Sequence, residues 1–294
     1  MFFTKYKYSK AKLLQWVGLA SSSYYYRVKG TRKGNKPSKY TFNKLQGWVK
    51  EETVIESIKE ILSRPFIDCG YHIMTAYLRR QGYLINPKKV YRIMKQAKLL
   101  KHRVPRNHTG KKFVRFRRVE TTRPFECLEM DIKVVWIPHT GKNAYLLSIM
   151  DVHSRRILKG YFSYTIKQNQ VIELVSSLLE DYHYPENIVI RSDNGSQFIA
   201  NKLREYLKVV GIDQEFTHIA TPEENAHIEA YHGILKRDLF DKYEYFTFGE
   251  VELLIKKYVS FYNNERLHGM LGKITPMEKW NMDKHLILRK KEVA

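Results

Sequence analysis

Three acidic residues stand where an acid calls for a reason. In the run 127–136, Leu128, Met130, Ile132, Val134 and Trp136 take every second position. A strand's period of two sends Asp131, with Glu129 and Lys133, to the opposite face. Asp193 follows the apolar run Ile188-Val189-Ile190, within Arg191-Ser192-Asp193-Asn194-Gly195. That puts it at a strand end with a turn signal behind it, the kind of place where α/β sheets bind ligands. Glu229 lies in 224–237, which reads as one helix with Ile228, Tyr231, Leu235 and Leu239 as its buried stripe. Glu229, His232 and Lys236 share a neighbouring face. Carboxylate oxygens are the ligands that hard divalent cations take, and a lysine two turns beyond Glu229 could meet a phosphate. Taken one at a time, each acid also has a plain reading: a surface acid beside Lys133, an Asp-Asn-Gly turn, and a solvent-facing polar row.

The elements that position these acids can be read from the same chain. Strands are expected at 127–136, 144–151 and 157–163, with Thr140-Gly141-Lys142 turning between the first two, which makes an antiparallel meander. A helix at 169–180, a buried strand at 188–190, a helix at 197–210 and a short strand at 214–219 follow, giving a mixed α/β sheet. Upstream, 51–100 is helical: Ile55, Ile58, Ile61 and Leu62 recur at helical steps, followed by Tyr77 and Leu78. Asn86 suits an N-cap and Pro87 the first helical position of a third helix. That helix has an apolar stripe of Val90, Ile93 and Met94 and a basic one of Lys88, Lys89, Arg92 and Lys95. Three short helices with a basic third one fit a helix-turn-helix unit or a bundle with a solvated lysine face. The expected organisation is a basic N-terminal arm (1–50), a helix-turn-helix-like DNA-binding domain (51–100), a basic linker (101–123), a catalytic core with C-terminal helices (124–285) and a tail (286–294).

Composition narrows the partners. Lys and Arg number 52 against 30 Asp and Glu, a formal net charge of +22 over 294 residues, which favours a polyanion. Lys5, Lys7 and Lys10 interrupt the N-terminal apolar residues and no long apolar run follows, so neither a leader peptide nor a membrane role is expected. Cys69 and Cys127 are the only cysteines. Without CxxC spacing they read as ordinary thiols of an intracellular protein.

The spacing of the acids joins them into one pattern, since 35 residues (194 to 228) lie between Asp193 and Glu229. With Asn194-Gly195 after the second acid and Lys236 two turns past the third, the chain resembles the DDE-class insertion-sequence transposases, which have a retroviral-integrase-like catalytic core. Tyr262-Asn263-Asn264-Glu265-Arg266-Leu267-His268 and Thr275-Pro276 resemble that family's C-terminal signature. Gly70-Tyr71, Asn86 and Met94 resemble the helical segment before the core in two-frame elements, so the likeness covers roughly 51–280. The chain departs from the pattern at Thr221-Pro222-Glu223-Glu224-Asn225, which lacks a common Gly and Asp. It departs again at Tyr231-His232, where paired phenylalanines are usual.

The resemblance implies an RNase H-like core and a polynucleotidyl transferase using two Mg²⁺ (or Mn²⁺) ions held by Asp131, Asp193 and Glu229, with Asp131 bridging. Water would free a 3′ hydroxyl, which then attacks a second phosphodiester. Lys236, Arg237, Lys88, Lys89 and Arg92 are the expected DNA contacts; His232 reads as structural, or as contacting DNA or ordering water. The implied partners are the element's terminal inverted repeats, target DNA, further copies of the chain and an upstream reading-frame protein, in a prokaryotic cytoplasm at the nucleoid. A catalytically silent or partner-dependent DNA-binding protein, and an RNase H-like nuclease that never joins strands, are the alternatives.

Overall fold

The computed structural model describes residues 8–26, 37–101, 120–217 and 225–288. Two units are separated at Lys39/Tyr40. In the first, α1 (Lys10–Trp16) starts at Ser9, whose hydroxyl accepts from the Lys12 amide at 3.3 Å, and α2 (Ser21–Tyr24) follows. The second unit begins earlier than the sequence suggests, because 40–50 is a hairpin and not the end of an arm. Its strands β1 (Tyr40–Asn43) and β2 (Gly47–Lys50) are joined by a turn that Asn43 organises, its Oδ1 accepting from the Leu45 amide at 2.8 Å. The Asn43 Nδ2 donates to the Gln81 carbonyl at 3.1 Å, which ties the hairpin to the helices that follow.

Those helices are α3 (Glu51–Ser63), α4 (Tyr71–Arg80) and α5 (Pro87–Gln96). The short strand β3 (Tyr83–Leu84) pairs with β1, so a small three-stranded sheet accompanies the three expected helices. Helix α5 starts as its sequence dictates: the Asn86 Oδ1 accepts from the Lys89 amide at 2.8 Å and Pro87 takes the first turn, so an orphan N–H is satisfied and a residue with none is placed where none is needed. Val54, Ile58, Ile61, Met74, Leu78, Val90, Ile93 and Met94 are buried between the three. Most of the basic linker, 102–119, lies outside the described residues.

The α/β core carries a five-stranded sheet in the order β6-β5-β4-β7-β8. Strands β4 (Cys127–Ile137), β5 (Lys142–Asp151) and β6 (Ile157–Ser163) form the expected antiparallel meander, and β7 (Ile188–Ser192) and β8 (Ile212–Phe216) run parallel to β4. One face is covered by α6 (Gln168–Asp181) and α8 (Asn201–Val210), which bury Val171, Val175, Leu178, Leu203 and Leu207 against Leu128, Met130, Leu147, Ile149, Ile188 and Ile190. The helix expected at 197–210 is two, because Ala200 is extended between α7 (Ser196–Ile199) and α8. The other face packs on α9 (Ala226–Leu235) and α10 (Phe248–Asn264) through Val135, Ile137, Ala144, Leu146 and Met150. A π-helical turn, Lys236–Phe240, follows α9; α11 (Pro276–Asp283) comes after α10, its Trp280 packed edge-on against Phe125 and Tyr182.

Among the described residues no helix is long and apolar enough to cross a membrane. Burial pushes both thiols up, Cys69 to about 12 and Cys127 to about 12, so neither is a ready nucleophile at neutral pH.

Between α10 and α11, burial, and then the charges of Arg266 and Arg155, push the His268 imidazole down to about 3. The folded protein therefore excludes a proton that the unfolded chain binds below its ordinary value near 6.5. Stability from this residue is full above that value and falls as the pH drops from there toward 3, by up to about 1.4 kcal/mol per pH unit. Thermal melts from pH 7 to 4 should show His268→Gln losing stability less steeply than the wild type; parallel curves would contradict this.

Candidate active site

The site is built outward from β4. Glu129, Asp131 and Lys133 point to the face that α9 covers, and Glu129 is completely buried there. Its carboxylate is satisfied by the helix: Oε2 accepts from the Ile228 amide at 2.8 Å, and Oε1 lies 2.7 Å from His227 Nδ1. The first amides of a helix have no partner inside it, so Glu129 caps α9 from a strand almost a hundred residues away. Asn225, also buried, adds a bond from Nδ2 to the Met130 carbonyl at 3.3 Å. The start of α9 is thereby fixed to the segment of β4 that carries Asp131.

Asp131 keeps 22% of its side-chain surface exposed. Its Oδ1 accepts from the Ile132 amide at 2.7 Å, and its Oδ2 lies 3.0 Å from Nδ1 of His232. The other imidazole nitrogen, Nε2, is 3.4 Å from the hydroxyl of Ser148, the residue opposite Asp131 on β5. His232 is nearly buried, so it belongs to the edge of the inward stripe and not to the outer row with Glu229 and Lys236.

Asp193 follows β7 directly and is exposed. The β4–β7 pairing runs from Cys127 with Val189 to Glu129 with Arg191, two residues short of Asp131 on β4 and of Asp193 after β7. Neighbouring strands lie about 4.8 Å apart, so the two acids leave the paired part of β4 and β7 from adjacent strands. One step back along the same row, Glu129, Arg191 and Glu215 line up across β4, β7 and β8, with Arg191 bonded to Glu215 at 2.6 Å. The turn after β7 is held closely: the Gly195 amide donates to Asp193 Oδ1 at 3.0 Å, and Asn194 Nδ2 donates to the Thr217 carbonyl at 2.9 Å. A side chain at 195 would bring a Cβ to 3.0 Å from Asp193 Oδ1, so glycine there leaves the carboxylate room.

Glu229 is exposed in the first turn of α9, where the helix dipole favours an anion. Among the described residues no three His, Cys, Asp or Glu side chains form a ready-made metal-holding group. The donor set nonetheless suits a hard divalent cation in kind. It offers carboxylate oxygens only, one from β4, one from the turn after β7, and one from a helix anchored over β4.

The expected DNA-contact residues divide. Lys236 and Arg237 lie past the end of α9 in the π-helical turn; Lys236 is exposed, and Arg237 bonds through Nε to the buried Asp238 at 3.0 Å. On α5, Lys88 is exposed, but Lys89 and Arg92 both reach Glu51, and Lys89 also donates to the Tyr40 carbonyl. The basic stripe of α5 is therefore partly used inside the protein. Glu129 and Ser148 were not singled out from the sequence as parts of the site, and His232 was read there as structural, or as contacting DNA or ordering water, and not as a partner of Asp131. The one available signal was that Glu129 shares its strand face with Asp131.

Comparison with known proteins agrees with this architecture. A family described as an integrase core domain matches residues 121–222, a second of the same description matches 210–276, and an HTH-like domain matches 49–108. The InsK protein of insertion sequence element IS150 from Escherichia coli K12 is 27% identical over 93% of this chain and 94% of its own length. The transposase for insertion sequence element IS904 from Lactococcus lactis is 25% identical over 79% of this chain and 96% of its own. Among solved structures, the catalytic core domain of BIV integrase overlaps 55% of this chain and 97% of its own with a TM-score of 0.42 and 18% identity.

Proposed function

We propose that this chain, an insertion-sequence transposase with a retroviral-integrase-like core behind an HTH-like domain, cleaves DNA at the ends of its element and joins the freed strand to target DNA. The observation that supports the reading at particular residues is the β4–β7 pairing, which ends two residues before Asp131 and Asp193, with α9, the helix that bears Glu229, tied to β4 through Glu129. In this reading all three are catalytic ligands. Two Mg²⁺ or Mn²⁺ ions bound there would activate the attacking oxygen and stabilise charge on the leaving one.

The chain's own part is positional. Asp131 would present its oxygens from β4, Asp193 from the turn after β7, and Glu229 from the first turn of α9. Lys236 and Arg237, two turns beyond Glu229, meet the phosphate backbone, and no side chain forms a covalent bond to DNA. Because both ends of an element must be held together, the working form is an assembly of several copies on DNA. An upstream reading-frame protein is a further proposed partner.

The test is nicking of end-labelled duplex carrying the element terminus and its flank. Mg²⁺-dependent release of a strand with a 3′ hydroxyl, abolished by EDTA, is expected. Tight binding without nicking would favour a silent DNA-binding protein.

The helix-turn-helix segment gives a second expectation. Lys88, free on the surface of α5, should behave as a phosphate contact. Lys88→Ala should weaken binding about equally for all sequences and lower the salt slope of binding by about 1. Lys89→Ala, which breaks an internal pair with Glu51, should act mainly on stability. Binding titrations over a salt series beside thermal melts separate the two, and equal salt slopes for Lys88→Ala and the wild type would rule out the contact.

A further inference from the structure

We propose that His232 is a positioning residue for Asp131. It holds the Nδ1–H tautomer, donating to Asp131 Oδ2 while Nε2 accepts from Ser148, and so fixes which lone pairs of the carboxylate face the metal. The inference rests on the proposed role of Asp131 as a ligand.

Three observations carry it. Nδ1 of His232 is 3.0 Å from Oδ2, and Nε2 is 3.4 Å from the Ser148 hydroxyl, so the ring bridges two adjacent strands of the sheet. A carboxylate oxygen can only accept, so Nδ1 must donate; a neutral ring then has only an acceptor left at Nε2, and a hydroxyl can donate to it. Burial of His232 and Ser148 removes water as a competing partner at Nε2. With the Ile132 amide already on Oδ1, each oxygen of Asp131 receives one donor and keeps one lone pair. The carboxylate is therefore held against rotation before any ion arrives, and an ion need not immobilise it on binding. Outer partners of metal ligands act in this way, and their loss typically weakens metal affinity or activity about 10- to 100-fold.

The geometry separates two conservative replacements. The amide nitrogen of asparagine stands where Nδ1 does, whereas that of glutamine reaches toward the position of Nε2. His232→Asn should keep the bond to Asp131, and His232→Gln should lose it.

Mn²⁺ binding to the full-length protein on element-end DNA, read from the decrease of the free-ion electron paramagnetic resonance signal, is the primary measurement. His232→Gln and His232→Ala should bind Mn²⁺ about 10- to 100-fold more weakly, with metal-free DNA binding unchanged, while His232→Asn stays within about threefold of the wild type. The ¹⁵N spectrum of the wild-type imidazole should show the proton on Nδ1. An Nε2–H tautomer, or Asn, Gln and Ala variants that bind Mn²⁺ alike, would overturn the proposal. The spectrum needs no variant, so misfolding of His232→Ala leaves the test intact. Loss of Mn²⁺ binding in Asp131→Asn is the control for the reading beneath it: if that variant binds Mn²⁺ normally, Asp131 is no ligand, and the failure lies there and not with His232.

Discussion

Asp131→Asn, Asp193→Asn and Glu229→Gln are each expected to cut strand cleavage by about 10³-fold or more while leaving binding to the element ends nearly unchanged. Each substitution keeps the shape of the side chain and removes one negative charge and one oxygen of the proposed ligand set. Metal stabilisation of the charge at a transferring phosphate amounts to several kcal/mol, and every 1.36 kcal/mol is tenfold in rate. The local structure explains why folding should survive. Asp193 and Glu229 are exposed, and the Asn replacing Asp131 can still accept from the Ile132 amide through Oδ1. Binding measured without metal, together with nicking in Mg²⁺, checks the claim. Cleavage by any one variant within tenfold of the wild type would remove that residue from the ligand set.

The largest stability effect should come from a residue two positions away. Glu129→Ala deletes the acceptor for the Ile228 amide and for His227 at a completely buried position. A buried donor left unpaired costs about 1–3 kcal/mol, so a loss of roughly 3 kcal/mol is expected. For a unit of this size that corresponds to a fall in Tm of about 6–12 °C. Activity should fall with it, because α9 loses its attachment over Asp131. Glu129→Gln should cost less: its oxygen can still accept from Ile228, and its amide can donate to His227 Nδ1 once the imidazole proton moves to Nε2. A melt of Glu129→Ala that coincides with the wild type would show that α9 is held by its apolar stripe alone.

How far the sequence discloses this site follows from how local each cause is. The meander β4–β5–β6 is legible because its signals are alternation and a Gly turn, and the start of α5 because Asn86-Pro87 acts within three residues. The placing of Asp131 within a strand and of Asp193 just after one is legible for the same reason. What is not legible depends on partners far along the chain. The bonds of Glu129 and His232 to their partners across α9 and β4 span about a hundred residues, and no periodicity within either segment discloses them. Lys89 and Arg92 look like a DNA-facing stripe until Glu51, some forty residues earlier, is brought against them. The hairpin 40–50 is missed for a related reason: two four-residue strands carry little alternation, and their stability comes from β3 and the Gln81 carbonyl.

The central claim, that this core joins DNA strands through Asp131, Asp193 and Glu229, is tested most directly by strand transfer from a pre-cut end. A labelled duplex ending in the element's own 3′ hydroxyl is incubated with target DNA, Mg²⁺ and either the wild type or Asp193→Asn. The account predicts joined products from the wild type alone, abolished by EDTA. Joined products from Asp193→Asn, or from the wild type without divalent metal, would contradict it.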